Sequence, residues 1–280
     1  MPPMSTPAAE TAILALAVPF FAHVFHAVTG ERSRLRLWFL RLYVVYEVKF
    51  LRLVLWVLGT RLGRTRLGER LIWWSFGTWL RRWGETGRAM DGGEVRRFFE
   101  DLPPEFETAV GGCRCKVARR GPCWRFHKGI CPHPTETEIT VRWGTRFYRD
   151  GYPGEYRVIS RAEAVGRIEE LIALRHAPHI YYFCVAGTFE GKEFVICNCC
   201  KGACVPLEVN RRRMPVMTRG NRRAVIDRSK CARCFTCREV CLYDVVTERD
   251  GCPEIGDCHG CAVCARSCPS GAITMVAVGP

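Results

Sequence analysis

Cys231-Ala232-Arg233-Cys234-Phe235-Thr236-Cys237-Arg238-Glu239-Val240-Cys241 and Cys258-His259-Gly260-Cys261-Ala262-Val263-Cys264-Ala265-Arg266-Ser267-Cys268 decide how this chain is read. Both stretches have the spacing C-x2-C-x2-C-x3-C, and the second repeats the first 27 residues later. Three cysteines two residues apart can wrap three irons of an iron–sulfur cube from one tight loop. Zinc sites instead join two separated C-x2-C pairs around one tetrahedral ion, which a triple C-x2-C-x2-C repeated in tandem does not suit. The spacing therefore points to two 4Fe–4S clusters and to one-electron transfer. Their potentials would be tuned by burial, amide hydrogen bonds to sulfur and nearby charge.

With Pro269-Ser270-Gly271-Ala272-Ile273 behind the second run, residues 222–278 closely resemble the two-cluster bacterial ferredoxins. In that family the fourth cysteine of each run ligates the other cluster. The resemblance thus implies Cys231, Cys234, Cys237 and Cys268 for one cluster and Cys258, Cys261, Cys264 and Cys241 for the other. Leu242 departs from the family, which usually has proline after the fourth cysteine. Val246 and Ile273 match across the repeat and are expected to pack over the clusters.

Upstream lies a second set of cysteines. Ile196-Cys197-Asn198-Cys199-Cys200 and Cys204 follow Cys113-Arg114-Cys115, Cys123 and Cys131. The stretch 110–280 resembles a family of bacterial and archaeal iron–sulfur proteins. In these a C-x-C-R segment, an I-S-x-x-E-A helix start and an I-C-N-C-C segment precede the two-cluster module. The matching segments here are Cys113-Arg114-Cys115, Ile159-Ser160-Arg161-Ala162-Glu163-Ala164 and Ile196 to Cys200. The resemblance implies electron transfer and little else. The residues themselves favour metal ligation over packing, because thiolates select zinc or Fe–S clusters. One additional cluster or a zinc ion is the candidate occupant, and a redox-active disulfide is the alternative. Adjacent Cys199 and Cys200 point to different faces of a strand, so a loop or two sites is needed. Cys184, in an apolar run, reads as a small buried hydrophobe. His127 and His133 are further candidate ligands.

The whole chain has 280 residues, 18 cysteines and a formal charge of +14. So many cysteines mean either a secreted disulfide framework or metal ligation inside the cell. Glu10 sits where a secretory leader would carry positive charge, so the thiols are read as intracellular. The basic excess lies before residue 227, where Lys and Arg outnumber Asp and Glu 36 to 21, against 6 to 7 after it. No nucleic-acid motif accompanies that charge, so no nucleic-acid partner is expected. No phosphate loop or dinucleotide glycine fingerprint is evident.

The expected architecture is α+β, in three parts: a helical region over 1–90, a cysteine-rich α+β domain over 91–220, and the two-cluster module over 221–280. In the middle part, Ser160 and Glu163 have the spacing of a capping box opening a helix to about His176. Strands are expected at Glu138–Trp143, Tyr156–Ile159, Ile180–Val185 and Glu193–Cys197, with a turn at Glu190-Gly191. The arginine-rich run from Arg211 to Arg223 reads as a solvated linker. In the first part, Thr11–Gly30 carries no formal charge and has the length of one membrane span, although Pro19, His23 and His26 oppose that reading. Arg34–Leu58 forms a helix with Arg41, Lys49 and Arg52 on one side, and Ile72, Phe76, Trp79 and Trp83 form an apolar stripe. Tryptophan beside arginine on amphipathic helices suits a membrane interface, and packing on another part or subunit suits it equally. The chain is thus expected in the cytoplasm, possible attachment being to the inner face of the cell membrane. It reads as an electron-transfer subunit with redox protein partners. The alternative is an oxidoreductase whose C-N-C-C region is fed by the module.

Overall fold

The computed structural model describes residues 34–74, 86–119, 134–182 and 193–278. Thr11–Gly30, Phe76, Trp79, Trp83, Cys123, Cys131, Cys184, His127, His133 and the Glu190-Gly191 turn lie outside the described residues. The class is α+β: a seven-stranded mixed sheet with helices on both faces and two further two-stranded ladders.

The chain enters through helix α1, Arg34–Gly59, and a short helix α2, Arg66–Ile72. Thr65 caps α2 by accepting from the Gly68 amide. No described helix is long and apolar enough to cross a membrane. Strand β1 (Thr86–Ala89) and helix α3 (Gly92–Asp101) follow. Asp91 and Glu94 cap α3 reciprocally, each side chain taking the other's amide. Then come β2 (Thr108–Gly112), α4 (Arg114–Arg119), β3 (Glu136–Thr140), α5 (Trp143–Gly151) and β4 (Tyr156–Ile159). Helix α6 (Arg161–Ala173) opens at Ser160, whose hydroxyl accepts from the Glu163 amide, as its sequence demands. Strands β5 (Ala177–Tyr182) and β6 (Glu193–Cys199), helix α7 (Val205–Arg211) and strand β7 (Met217–Thr218) complete this part.

The sheet order is β4-β2-β3-β6-β5-β1-β7, antiparallel except for the β1–β7 pair. Side chains alternate between its faces. One face carries Val110, Ile139, Ile180 and Ile196 against Val95 and Phe99 of α3 and Ile168 of α6. The other carries Ala109, Tyr181, Val195, Cys197 and Cys199 toward α1, α5, α7 and the C-terminal unit. That second face positions the site.

Three expectations change. Trp143 begins α5 instead of ending a strand, because β3 stops at Thr140. The sheet takes β1 from inside 1–90, so a boundary at residue 90 divides β1 from α3 within one unit. The run from Arg211 to Arg223 is not a solvated linker: Met214, Met217 and Gly220 are buried, and β7 pairs with β1. The arginines of that run hid an apolar anchor carried by the two methionines.

The C-terminal unit has strands β8 (Arg222–Ile226), β9 (Val246–Arg249), β10 (Cys252–Ile255) and β11 (Ile273–Ala277), with helices α8 (Thr236–Val240) and α9 (Val263–Arg266). β8 pairs with β11, and β9 with β10 across the two-residue Asp250-Gly251 turn, both at positive φ as such a hairpin requires. The sequence repeat is also a backbone repeat. Arg233 and Gly260, Phe235 and Ala262, and Asp244 and Gly271 are three pairs at positive φ, each pair 27 residues apart.

Candidate functional site

In the C-terminal unit the left-handed residues Arg233, Phe235, Gly260 and Ala262 each lie between successive cysteines of the C-x2-C-x2-C loops. Gly260 has φ +82°, and a Cβ there would lie 2.3 Å from the Arg222 carbonyl oxygen, so the loop closes tightly on β8. Cys231, Cys234, Cys237 and Cys268 line one small cavity, roofed by Ile226, Pro253, Ala272 and Ile273. The fourth cysteine of the second run has joined the first three of the other. The reciprocal set is Cys241, Cys258, Cys261 and Cys264. Burial pushes the Cys261 and Cys264 thiols up to about 12, and the charges of Cys241 and Cys258 add to this. Such thiols hold their protons at neutral pH unless a cation replaces them. The Ala224 and Gly260 amides both donate to Cys258 Sγ at 3.4 Å. Val246 is buried beside this unit's core and Ile273 lines the first cavity.

Among the described residues, no three His, Cys, Asp or Glu side chains are gathered to hold a single metal ion. A four-iron cube does not need that arrangement, since each iron takes its own thiolate and the four stand apart. The first quartet around its cavity and the second as a set of neighbouring thiols, with amides donating to Cys258, fit such a group.

The upstream cysteines converge on the sheet. Register across β4, β2, β3, β6 and β5 sets Tyr156, Gly111, Glu138, Cys197 and His179 in one row on one face. Gly111 has no side chain, so the Tyr156 ring lies over it and its hydroxyl donates to Glu138 Oε1 at 2.6 Å. Cys199 stands two residues on from Cys197, on the same face. A turn over 201–203 then returns Cys204 to it, at 3.4 Å between sulfurs. Cys113 at the end of β2 lies 4.0 Å from Cys197, and Cys115 takes a hydrogen bond from the Val205 amide at 3.4 Å. Cys113, Cys115, Cys204, Cys199 and Cys197 thus form a closed ring of neighbouring buried thiols. Cys200 is also buried, but beyond the strand end and outside that ring.

Within the ring, hydrogen bonds from Cys115 and Cys197 hold the Cys113 thiol well below its usual range. Burial raises Cys204, but its hydrogen-bonded contacts with Cys115 and Cys199 outweigh it and draw Cys204 well down. Cys115 and Cys197, donors to Cys113, are pushed well up, as is Cys199 by burial. Beside them, burial lifts the Glu138 carboxyl to about 8 against the opposing pull of Arg114.

Residues with no motif of their own complete the site. Tyr181 places its hydroxyl 3.5 Å from Cys199 Sγ and 4.0 Å from Cys204 Sγ. Burial lowers His179 to about 4, so it is neutral. Its Nδ1 meets the Ala177 carbonyl at 2.9 Å, which assigns the proton there and leaves Nε2 to accept from the Tyr243 hydroxyl at 2.7 Å. The Tyr243 ring stacks on His259, centroids 3.9 Å apart and planes 3° from parallel. Sequence reading missed His179 and Tyr181. The signal lay in their alternation along β5, whose register pairs His179 with Cys197 and Tyr181 with Val195.

No family model matches the chain, and no curated protein matches it.

Proposed function

We propose that this chain transfers single electrons between redox protein partners through two 4Fe–4S clusters held by its C-terminal unit, in the manner of the two-cluster ferredoxins. The observation that carries the reading is the crossed convergence of the eight cysteines: Cys268 lines the cavity of Cys231, Cys234 and Cys237, and Cys241 stands with Cys258, Cys261 and Cys264. When bound, the clusters supply one-electron oxidation and reduction. The chain's own part is to present eight thiolates, donate amides to sulfur and cover the clusters with apolar side chains. Residues 221–280, prepared anaerobically and reconstituted, are expected to hold about eight irons and as many acid-labile sulfides. Zinc without sulfide in that preparation would sink the proposal.

The same reading sets the protein at the inner face of the cell membrane. Leu42, Val45, Tyr46 and Lys49 share one exposed face of α1, and Leu67, Leu71 and Trp74 are exposed on and just beyond α2. Apolar side chains flanked by cations suit an anionic lipid interface, at about 1 kcal/mol per cation near the surface. The full chain is expected to sediment with anionic vesicles at low salt, and Lys49→Glu with Val45→Asp to weaken this about tenfold. Sedimentation equal to that with neutral vesicles would make these helices a docking element instead.

A further inference from the structure

We propose that the ring of Cys113, Cys115, Cys197, Cys199 and Cys204 holds an iron–sulfur cluster of its own, which exchanges electrons with the second C-terminal cluster across Tyr243. The role as an electron relay rests on the function proposed above, whereas the metal site stands on its own geometry.

The ring gathers five thiols from three separate segments, none more than 8% exposed. Two of its contacts join different pairs, Cys113 with Cys197 at 4.0 Å and Cys199 with Cys204 at 3.4 Å. Two thiolates on one tetrahedral metal stand about 3.8 Å apart when each metal–sulfur bond is about 2.3 Å. Each pair therefore has the spacing of ligands sharing one metal. Yet no three described donors surround a common point, so a single zinc ion is not served by the ring. Two irons bridged by inorganic sulfide, each with its own pair, are served by it. A disulfide needs sulfurs about 2 Å apart, and none of the described cysteines is so paired. Polar hydrogens also aim at sulfur from outside: the Val205 amide at Cys115 and the Tyr181 hydroxyl beside Cys199 and Cys204. Donors of that kind tune a cluster and orient its ligands.

Tyr243 supplies the connection. It follows Cys241 by two residues, stacks on His259 beside Cys258, and reaches His179 on the sheet. It lies within electrostatic reach of Cys241 and Cys261 on one side and of Cys199 and Cys204 on the other. In the transfer the second cluster is oxidised by one electron and the ring cluster reduced by one. No bond forms or breaks.

The test is metal counting on the full chain, purified anaerobically, beside Cys197→Ser/Cys204→Ser. The wild type is expected to hold about two to four irons beyond the eight of the C-terminal unit, with sulfide to match. The double variant is expected to fall back to about eight, and those retained irons report that it folds. Fully reduced wild type should show electron paramagnetic resonance coupling beyond that between the two C-terminal clusters, and the variant should retain only the coupling of those two. No excess iron, excess zinc without sulfide, or an excess that survives in the variant overturns the ring cluster. Spectra without that additional coupling overturn the relay. A chain with serine at Cys231, Cys234, Cys258 and Cys261 separates the two readings, because ring iron persists there even if the C-terminal unit holds none.

Discussion

Serine at both Cys264 and Cys268 is expected to strip about eight irons from the protein, whereas serine at both Cys241 and Cys264 strips about four. Both double variants remove two thiols from the repeat, so the contrast reads out which cysteines share a cluster. In the crossed arrangement Cys264 and Cys268 belong to different clusters, and losing one ligand from each empties both. Cys241 and Cys264 stand in the same set, close enough that the charge of Cys241 helps raise the Cys264 thiol. An uncrossed arrangement, each run serving its own cluster, inverts the two results. Iron and sulfide counts on the two variants, each beside its single substitutions, decide it. The effect is close to all-or-none per cluster, because no other described cysteine lines the first cavity.

The second large effect is expected at Arg114, between Cys113 and Cys115. Its guanidinium is 2% exposed, with Nε donating to the Gly112 carbonyl at 2.9 Å and Nη2 to Glu155 at 3.0 Å. It sits over the Tyr152 ring at 4.1 Å and near Tyr156 at 5.1 Å. Burial works against its charge, but Tyr156, Glu138 and Glu155 outweigh this and hold its pKa above the usual value. Arg114→Leu removes the fork and both ring contacts and leaves the Gly112 carbonyl without this donor. The expected loss is about 3–5 kcal/mol of unfolding free energy in urea. Arg114→Lys should recover only part, since an ammonium cannot make the planar fork. A loss under about 1 kcal/mol for Arg114→Leu would show that the site relaxes without it.

Local signals were legible in the sequence. The Ser160 cap, β4 at Tyr156–Ile159 and α1 along Arg34–Gly59 each lie where short-range pattern puts them. The cysteine repeat is matched by a backbone repeat down to its left-handed residues, which the sequence reading did not anticipate. What escaped depends on register between distant strands. Nothing near Glu138 in sequence announces that Cys197 stands beside it, or that Gly111 lets Tyr156 reach across. The eight upstream cysteines appeared as two groups of four, and among the described residues five come together, Cys113 and Cys115 from one group and Cys197, Cys199 and Cys204 from the other. Met214 and Met217 were overlooked because charge density dominated their neighbourhood, while burial is decided by the two side chains that face β1 and the core.

The exchange of fourth cysteines also orders events in time as the chain emerges from the ribosome. The upstream ring is complete once Cys204 is made. The set containing Cys241 closes at Cys264. The set that begins first, at Cys231, closes last, because it waits for Cys268. Until then its three leading thiols are held by a loop whose final ligand and closing strand β11 have not been synthesised. Of the two C-terminal quartets it is accordingly the one whose thiols wait longer within reach of oxidants and stray metal ions during biogenesis.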